Sequence, residues 1–155
     1  MCSGEQKVIK LVTTCFYIGY LPLMPGTYAS MLGVLLYVLV KDSAYAYGSM
    51  VLLVTGAGFL FSGRAEKAFS EKDSSKIVID ELSAMLLCFC FVKFYTVNLI
   101  AGFILFRIFD IVKPYPIRNL QKLHGSAGIM LDDIVAALYT NISLRLIHYC
   151  ILSFA

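Results

Sequence analysis

Charged side chains are scarce in this chain: Asp, Glu, Lys and Arg supply 15% of its 155 residues, while 59% are hydrophobic. A soluble domain carries about 25% charged and about 45–50% apolar residues. With a mean hydropathy of +0.80, there is more apolar surface than a soluble core of this length can hide. That excludes an ordinary water-soluble domain and points to a membrane protein. The net charge of +3 is small and scattered, so nucleic acid is not an expected partner. The five cysteines, Cys2, Cys15, Cys88, Cys90 and Cys150, lack the paired spacing of a zinc site or a disulfide framework. Cys88 and Cys90 lie inside an apolar run, where cysteine acts as a small hydrophobe.

Further absences narrow the chemistry. There is no glycine-rich loop ending in Lys-Ser/Thr, no Cys-x5-Arg loop and no Asp-x-Asp pair, which removes the common phosphate-handling motifs that depend on them. Histidine occurs only twice. His148 falls in the last apolar segment and reads as structural or interfacial, whereas His124 is placed to donate to a phosphate, to shuttle a proton or to cap a helix. No repeat, low-complexity tract or linker divides residues 1–155, so one domain is expected. The N-terminal stretch has no tidy small-residue cleavage site and is expected to stay attached as a short amphipathic or interfacial helix.

What the chain does have is a series of apolar segments: Thr27–Val40, Ala44–Phe61, Ile77–Val92, Val97–Phe109 and Ile134–Phe154. A full crossing takes about 20 residues, so several of these are short and are expected to cross with help or to be re-entrant. Backbone groups in lipid must be satisfied within the segment, and no membrane-barrel alternation is visible. The expected fold is therefore all-α, a helical integral membrane domain with several short transmembrane or re-entrant helices. Arg64, Lys67, Lys72 and Lys76 fall in one connection, and Lys113, Arg118 and Lys122 in another, while the opposite connections hold Lys41 and Lys93. Loop bias of this kind predicts five crossings, with residues 63–76 and 110–133 on the cytoplasmic side.

The unusual polar residues gather at segment ends on that side. Arg107, Asp110 and Lys113 are three apart and share one broad helical face, and Pro114 and Pro116 then stop the helix. Asp80 and Glu81 open the third apolar segment, and Asp132 and Asp133 the fifth. Each pair has an ordinary explanation, since acids at a helix N-terminus interact well with the dipole. Arg107 and Lys113 have one too, in snorkelling and mutual pairing. Adjacent helical residues point about 100° apart, so Asp132 and Asp133 are expected to divide into one ligand and one supporting or capping partner. Taken together, five carboxylates beside Arg and Lys suit a hard divalent cation, Mg²⁺ first. The cations would bind the remaining phosphate charge, and water would attack phosphorus.

These residues resemble the phosphatidylglycerophosphatase A family of bacterial membrane lipid phosphatases. The resemblance is carried by PGTYAS at Pro25–Ser30, IVIDE at Ile77–Glu81, FRIFDIVKPYPIR at Phe106–Arg118 and HGSAGIMLDDIVA at His124–Ala136. It departs at Ala29 and Ser126, small residues where the family often has glycine. The resemblance implies Mg²⁺-dependent hydrolysis of phosphatidylglycerophosphate to phosphatidylglycerol, in the bacterial cytoplasmic membrane, by a multi-pass protein whose site faces the cytoplasm. It carries Asp80, Glu81, Asp110, Asp132, Asp133 and His124 over as catalytic positions, and Arg107, Lys113 and Arg118 as phosphate-binding ones. From the chemistry, Asp80, Glu81, Asp110 and Asp132 are the expected metal ligands, with Asp133 in support. Two other classes stay in view: a small ion transporter or channel, which would need acids at mid-membrane depth, and a non-catalytic membrane subunit, which would have lost motif acids. Arg145, deep in the last segment, is unexplained by the motifs and is expected either to snorkel or to mark an early end of that segment.

Overall fold

The computed structural model describes residues 3–72 and 74–154. Seven α-helices follow in order: α1 (Ser3–Thr13), α2 (Pro25–Val40), α3 (Ala44–Phe69), α4 (Ile79–Cys88), α5 (Thr96–Val112), α6 (Ile117–Leu120) and α7 (Ser126–Phe154), with one 3-10 turn at Ile18–Tyr20. No strand occurs among the described residues. The all-helical expectation holds.

Local chemistry sets the boundaries. Pro25 occupies the first turn of α2, where its missing N–H costs nothing. Ser43 caps α3, its hydroxyl accepting from the Ala46 N–H at 3.3 Å. At the end of α5, Lys113 takes a left-handed conformation, φ 46°, and Pro114 follows it. That conformation costs a non-glycine residue about 1–2 kcal/mol. It turns the chain sharply at a residue whose side chain reaches α7.

α4 is the centre of the bundle. Ile79, Leu82, Ala84, Met85, Leu86 and Cys88 are all buried, and the helix packs against α2, α3 and α7. Ten residues rise only about 15 Å, half the hydrocarbon thickness of a bilayer. A helix that stops inside a protein leaves carbonyls without partners. Here three side chains take them. Tyr47 donates to the Leu86 carbonyl, Asn141 to those of Cys88 and Cys90 at 2.8 and 2.9 Å, and Arg145 to that of Cys90 at 2.9 Å. Arg145 thus finds its partner at the end of the short helix.

The expectation of five crossings needs qualification. The five segments are present as α2, α3, α4, α5 and α7, but among the described residues only α3 and residues 126–150 of α7 are long and apolar enough to cross a membrane. α2 is apolar but shorter, and α4 is a half-length helix enclosed by its neighbours. α3 faces outward, with only 6% of its apolar window buried and Leu52, Leu53 and Leu60 exposed. A row of exposed leucines on a 26-residue helix matches lipid as its solvent. The N-terminal helix forms as expected: α1 packs on α3 through buried Ile9, and Lys10 lies over the Phe69 ring, 4.8 Å from its centroid.

α7 begins at Ser126, well before the apolar run at Ile134, because small and polar residues there extend the helix. Ser126 Oγ accepts from the Gly63 N–H at 2.8 Å, pinning the start of α7 to α3. Asp132 and Asp133 consequently lie nearly two turns inside α7 rather than at its head. A capping role for them is ruled out by position.

Candidate active site

Four helices bring their polar residues to one end of the bundle. The first turn of α4 supplies Asp80 and Glu81. The last turns of α5 supply Arg107 and Asp110, with Lys113 at its terminus. α7 contributes Asp132 and Asp133, and the N-terminus of α2 closes the group with Gly26 and Thr27. Gly26 packs directly on the Glu81 carboxylate, and any Cβ there would overlap Glu81 Oε1. A side chain at this point would force the Glu81 carboxylate to shift, because the backbone itself forms the wall.

Two layers are distinguishable. In the first, carboxylate oxygens of Asp80, Glu81 and Asp133 lie within 4.8 Å of one another. Asp80 and Asp133 are buried, at 9% and 5% exposure. Asp80 Oδ1, Glu81 Oε2 and Thr27 Oγ1 are buried without a hydrogen-bond partner. In the second layer, Arg107 Nη1 lies 2.9 Å from Asp110 Oδ2. Lys113 Nζ lies 3.9 Å from Asp110 Oδ1 and 2.6 Å from Asp132 Oδ2.

Charge counting shows what this arrangement needs. Five acids face two cations, Arg107 and Lys113, which leaves three negative charges uncompensated if all five are ionised. Unpaired charge in a low-dielectric site is strongly unfavourable. Burial, then the charges of Glu81 and Asp133, push the Asp80 carboxyl well above the usual carboxylate range. Burial raises Glu81 as well, against the opposing influence of the Asp80 hydrogen bond and of Arg107. Lys113 moves up also: burial works against its charge, but the hydrogen bond and negative charge of Asp132 outweigh it. A cluster of oxygen donors with unused lone pairs and excess negative charge fits a hard divalent cation.

The arrangement divides the acids differently from the sequence expectation. Asp133, expected in support, points at the N-terminus of α4 and joins Asp80 and Glu81. Asp132 and Asp110, also expected as ligands, lie in ion pairs with Lys113 and Arg107. The physical reason is the helical offset of about 100° between neighbours, which sends Asp132 to α5 and Asp133 to α4. Arg118 and His124 are exposed and stand outside the buried cluster. His148 is in the apolar part of α7, its ring 5.9 Å from that of Tyr95. Gly26 and Thr27 belong to the site but were not singled out as site residues from sequence. The signal for them was the Pro-Gly-Thr start of α2 within PGTYAS, one of the motifs that carry the family resemblance.

Fold and site together define an all-helical protein with two helices among its described residues long and apolar enough to cross a membrane and with its polar chemistry concentrated at one end of the bundle. The family model described as Phosphatidylglycerophosphatase A matches residues 11–148, and the chain belongs to that family of phosphatases. A protein of Bacteroides thetaiotaomicron named putative phosphatidylinositol-3-phosphatase is 34% identical, over 91% of this chain and 94% of that protein. The phosphatidylglycerophosphatase A of Haemophilus influenzae is 31% identical, over 93% of this chain and 91% of its own length. The corresponding Escherichia coli K12 protein is 33% identical, over 81% and 75%. No solved structure matches.

Proposed function

We propose that this chain hydrolyses the terminal phosphomonoester of phosphatidylglycerophosphate, releasing phosphatidylglycerol and inorganic phosphate. The observation that carries the proposal is the packing of Asp80, Glu81 and Asp133 within 4.8 Å of one another, beside an Arg107–Asp110–Lys113–Asp132 row. Family membership and the names of two relatives supply the substrate.

Asp80, Glu81 and Asp133 would hold Mg²⁺, which when bound supplies positive charge to a phosphate oxygen. Arg107 and Lys113 neutralise the other phosphate oxygens. Asp110 and Asp132 hold those two cations in place, so that little reorganisation is needed as charge develops on phosphorus. Water adds to phosphorus, the bond from phosphorus to the glycerol oxygen breaks, and the proton given up by the attacking water ends on that leaving oxygen. Arg118 and His124, both exposed, are assigned to drawing in the anionic head group and exchanging protons with solvent. On this reading the protein belongs in the bacterial cytoplasmic membrane as a multi-pass protein with the site facing the cytoplasm. Loop charge supports that orientation.

The name of the Bacteroides relative favours a second substrate, phosphatidylinositol 3-phosphate, also a phosphomonoester on a diacyl lipid. The test is phosphate release by purified, detergent-solubilised protein from each lipid, with Mg²⁺ and with EDTA. Release from phosphatidylglycerophosphate that EDTA stops is expected. Turnover of the inositol lipid alone would reassign the substrate, and full activity in a metal-free preparation would remove the metal from the mechanism.

A further inference from the structure

An apolar groove of about 480 Å³ runs along the outside of the bundle between α2 and α5. Met31 and Val34 line it from α2, and Leu99, Ile100, Phe103 and Ile104 from α5. The mechanism does not use it, and Met31, Ile100 and Ile104 leave it largely open to the surroundings.

Its position relative to the acid site is informative. α2 and α5 meet above the groove at Gly26 and Arg107, where a Cβ on Gly26 would stand 3.5 Å from Arg107 Nη1. Met31 is about one turn along α2 from Thr27, and Phe103 and Ile104 are about one turn before Arg107 on α5. The groove therefore starts one turn below the phosphate-facing cation and runs away from it. At its far end stands Thr96, the only polar side chain in the lining. From Ile104 to Thr96 the helix rises about 12 Å, close to the roughly 15 Å depth of one leaflet's hydrocarbon.

We propose that this groove is the subsite for one acyl chain of the lipid substrate. The assignment rests on the phosphatase reading and adds to it where the lipid lies. An anionic head group at Arg107 and a hydrocarbon tail between α2 and α5 share one continuous path, so substrate slides in from the leaflet without leaving the bilayer. A second apolar groove, about 390 Å³, lies on the other side of α2 and includes Leu53. It is bounded by Val12 of α1 and by Cys15 just beyond that helix, not by a cation, and is not assigned a chain.

Ile100→Trp and Met31→Trp each fill the groove from an exposed position, and Leu53→Trp serves as the control in the other groove. The measurement is kcat/KM on dipalmitoyl and dihexanoyl phosphatidylglycerophosphate in mixed micelles. The ratio of long-chain to short-chain values is expected to fall about tenfold in both groove variants and to stay at the wild-type value in Leu53→Trp. Wild-type ratios in Ile100→Trp and Met31→Trp, a parallel loss on both lipids in both variants, or an equal ratio change in Leu53→Trp would each overturn the assignment. A wild-type protein that releases phosphate from neither lipid would defeat the phosphatase reading itself, a result distinct from an unchanged ratio.

Discussion

Lys113 Nζ sits 2.6 Å from Asp132 Oδ2 and ties the end of α5 to α7. The neighbouring Asp133 turns away from that ion pair toward Asp80 and Glu81. Two adjacent acids thus serve two different layers of the same site, one balancing a cation and one completing an oxygen cluster.

The division predicts different kinetic phenotypes for two similar substitutions. Asp133→Asn removes a cluster oxygen charge and is expected to raise the Mg²⁺ concentration needed for half-maximal phosphate release. Asp132→Asn frees Lys113 and is expected to lower turnover by about 10- to 100-fold, with the Mg²⁺ requirement little changed. Magnesium titrations of both variants decide the matter, and the opposite pattern would return Asp132 to the ligand set.

The raised carboxyls of Asp80 and Glu81 set the sign of the pH response. Cation binding needs both acids ionised, so protons compete with Mg²⁺, and more Mg²⁺ is expected to be required at about pH 6 than at about pH 8. Stability of the metal-free protein runs the other way. An acid whose folded-state value is raised stabilises the fold below its unfolded value, and that contribution is lost as pH rises through the raised value. Thermal unfolding after EDTA treatment should therefore occur at lower temperature as pH increases, and added Mg²⁺ should restore the lost stability. A flat profile with and without metal would contradict the cluster.

Gly26→Ala tests the wall of the site. The new methyl would meet the Glu81 carboxylate, which must shift to admit it. Misplacement of a reacting group by about 1 Å costs about 10²-fold in rate, and a loss of that order is expected in phosphate release. Because the group that gives way is the end of a flexible side chain, the unfolding temperature should change little. Normal activity in Gly26→Ala would show that Glu81 need not hold its present position.

Much of this site was legible in the sequence because charge is rare against so apolar a background. Any cluster of acids and bases at segment ends stands out, and Arg107, Asp110 and Lys113 could be placed on one face by spacing alone. The division of labour between Asp132 and Asp133 was not legible. It depends on where α7 begins and on which neighbour each side faces, and both are set by packing against α4 and α5. The length of α4 was hidden for a similar reason. Ala84–Val92 is continuously apolar, and nothing in that run marks the end at Cys88. The stop is made by residues far away in the chain, Tyr47, Asn141 and Arg145, which supply donors to the freed carbonyls.

Those donors are separable by experiment. Asn141 is 8% exposed and bonds to the carbonyls of both Cys88 and Cys90, whereas Arg145 is exposed and bonds to Cys90. In Asn141→Leu the Cys88 carbonyl loses the donor that α7 supplies while Arg145 still serves Cys90. An unsatisfied buried carbonyl costs about 1–3 kcal/mol, so Asn141→Leu should unfold at clearly lower temperature in detergent. Arg145→Ala leaves Cys90 with Asn141 as its donor and should be milder. The order of the two unfolding temperatures is the test. If Arg145→Ala proved the more damaging, the end of α4 would depend chiefly on the charged side chain, and Asn141 would not be the residue that lets a ten-residue helix end inside the bundle.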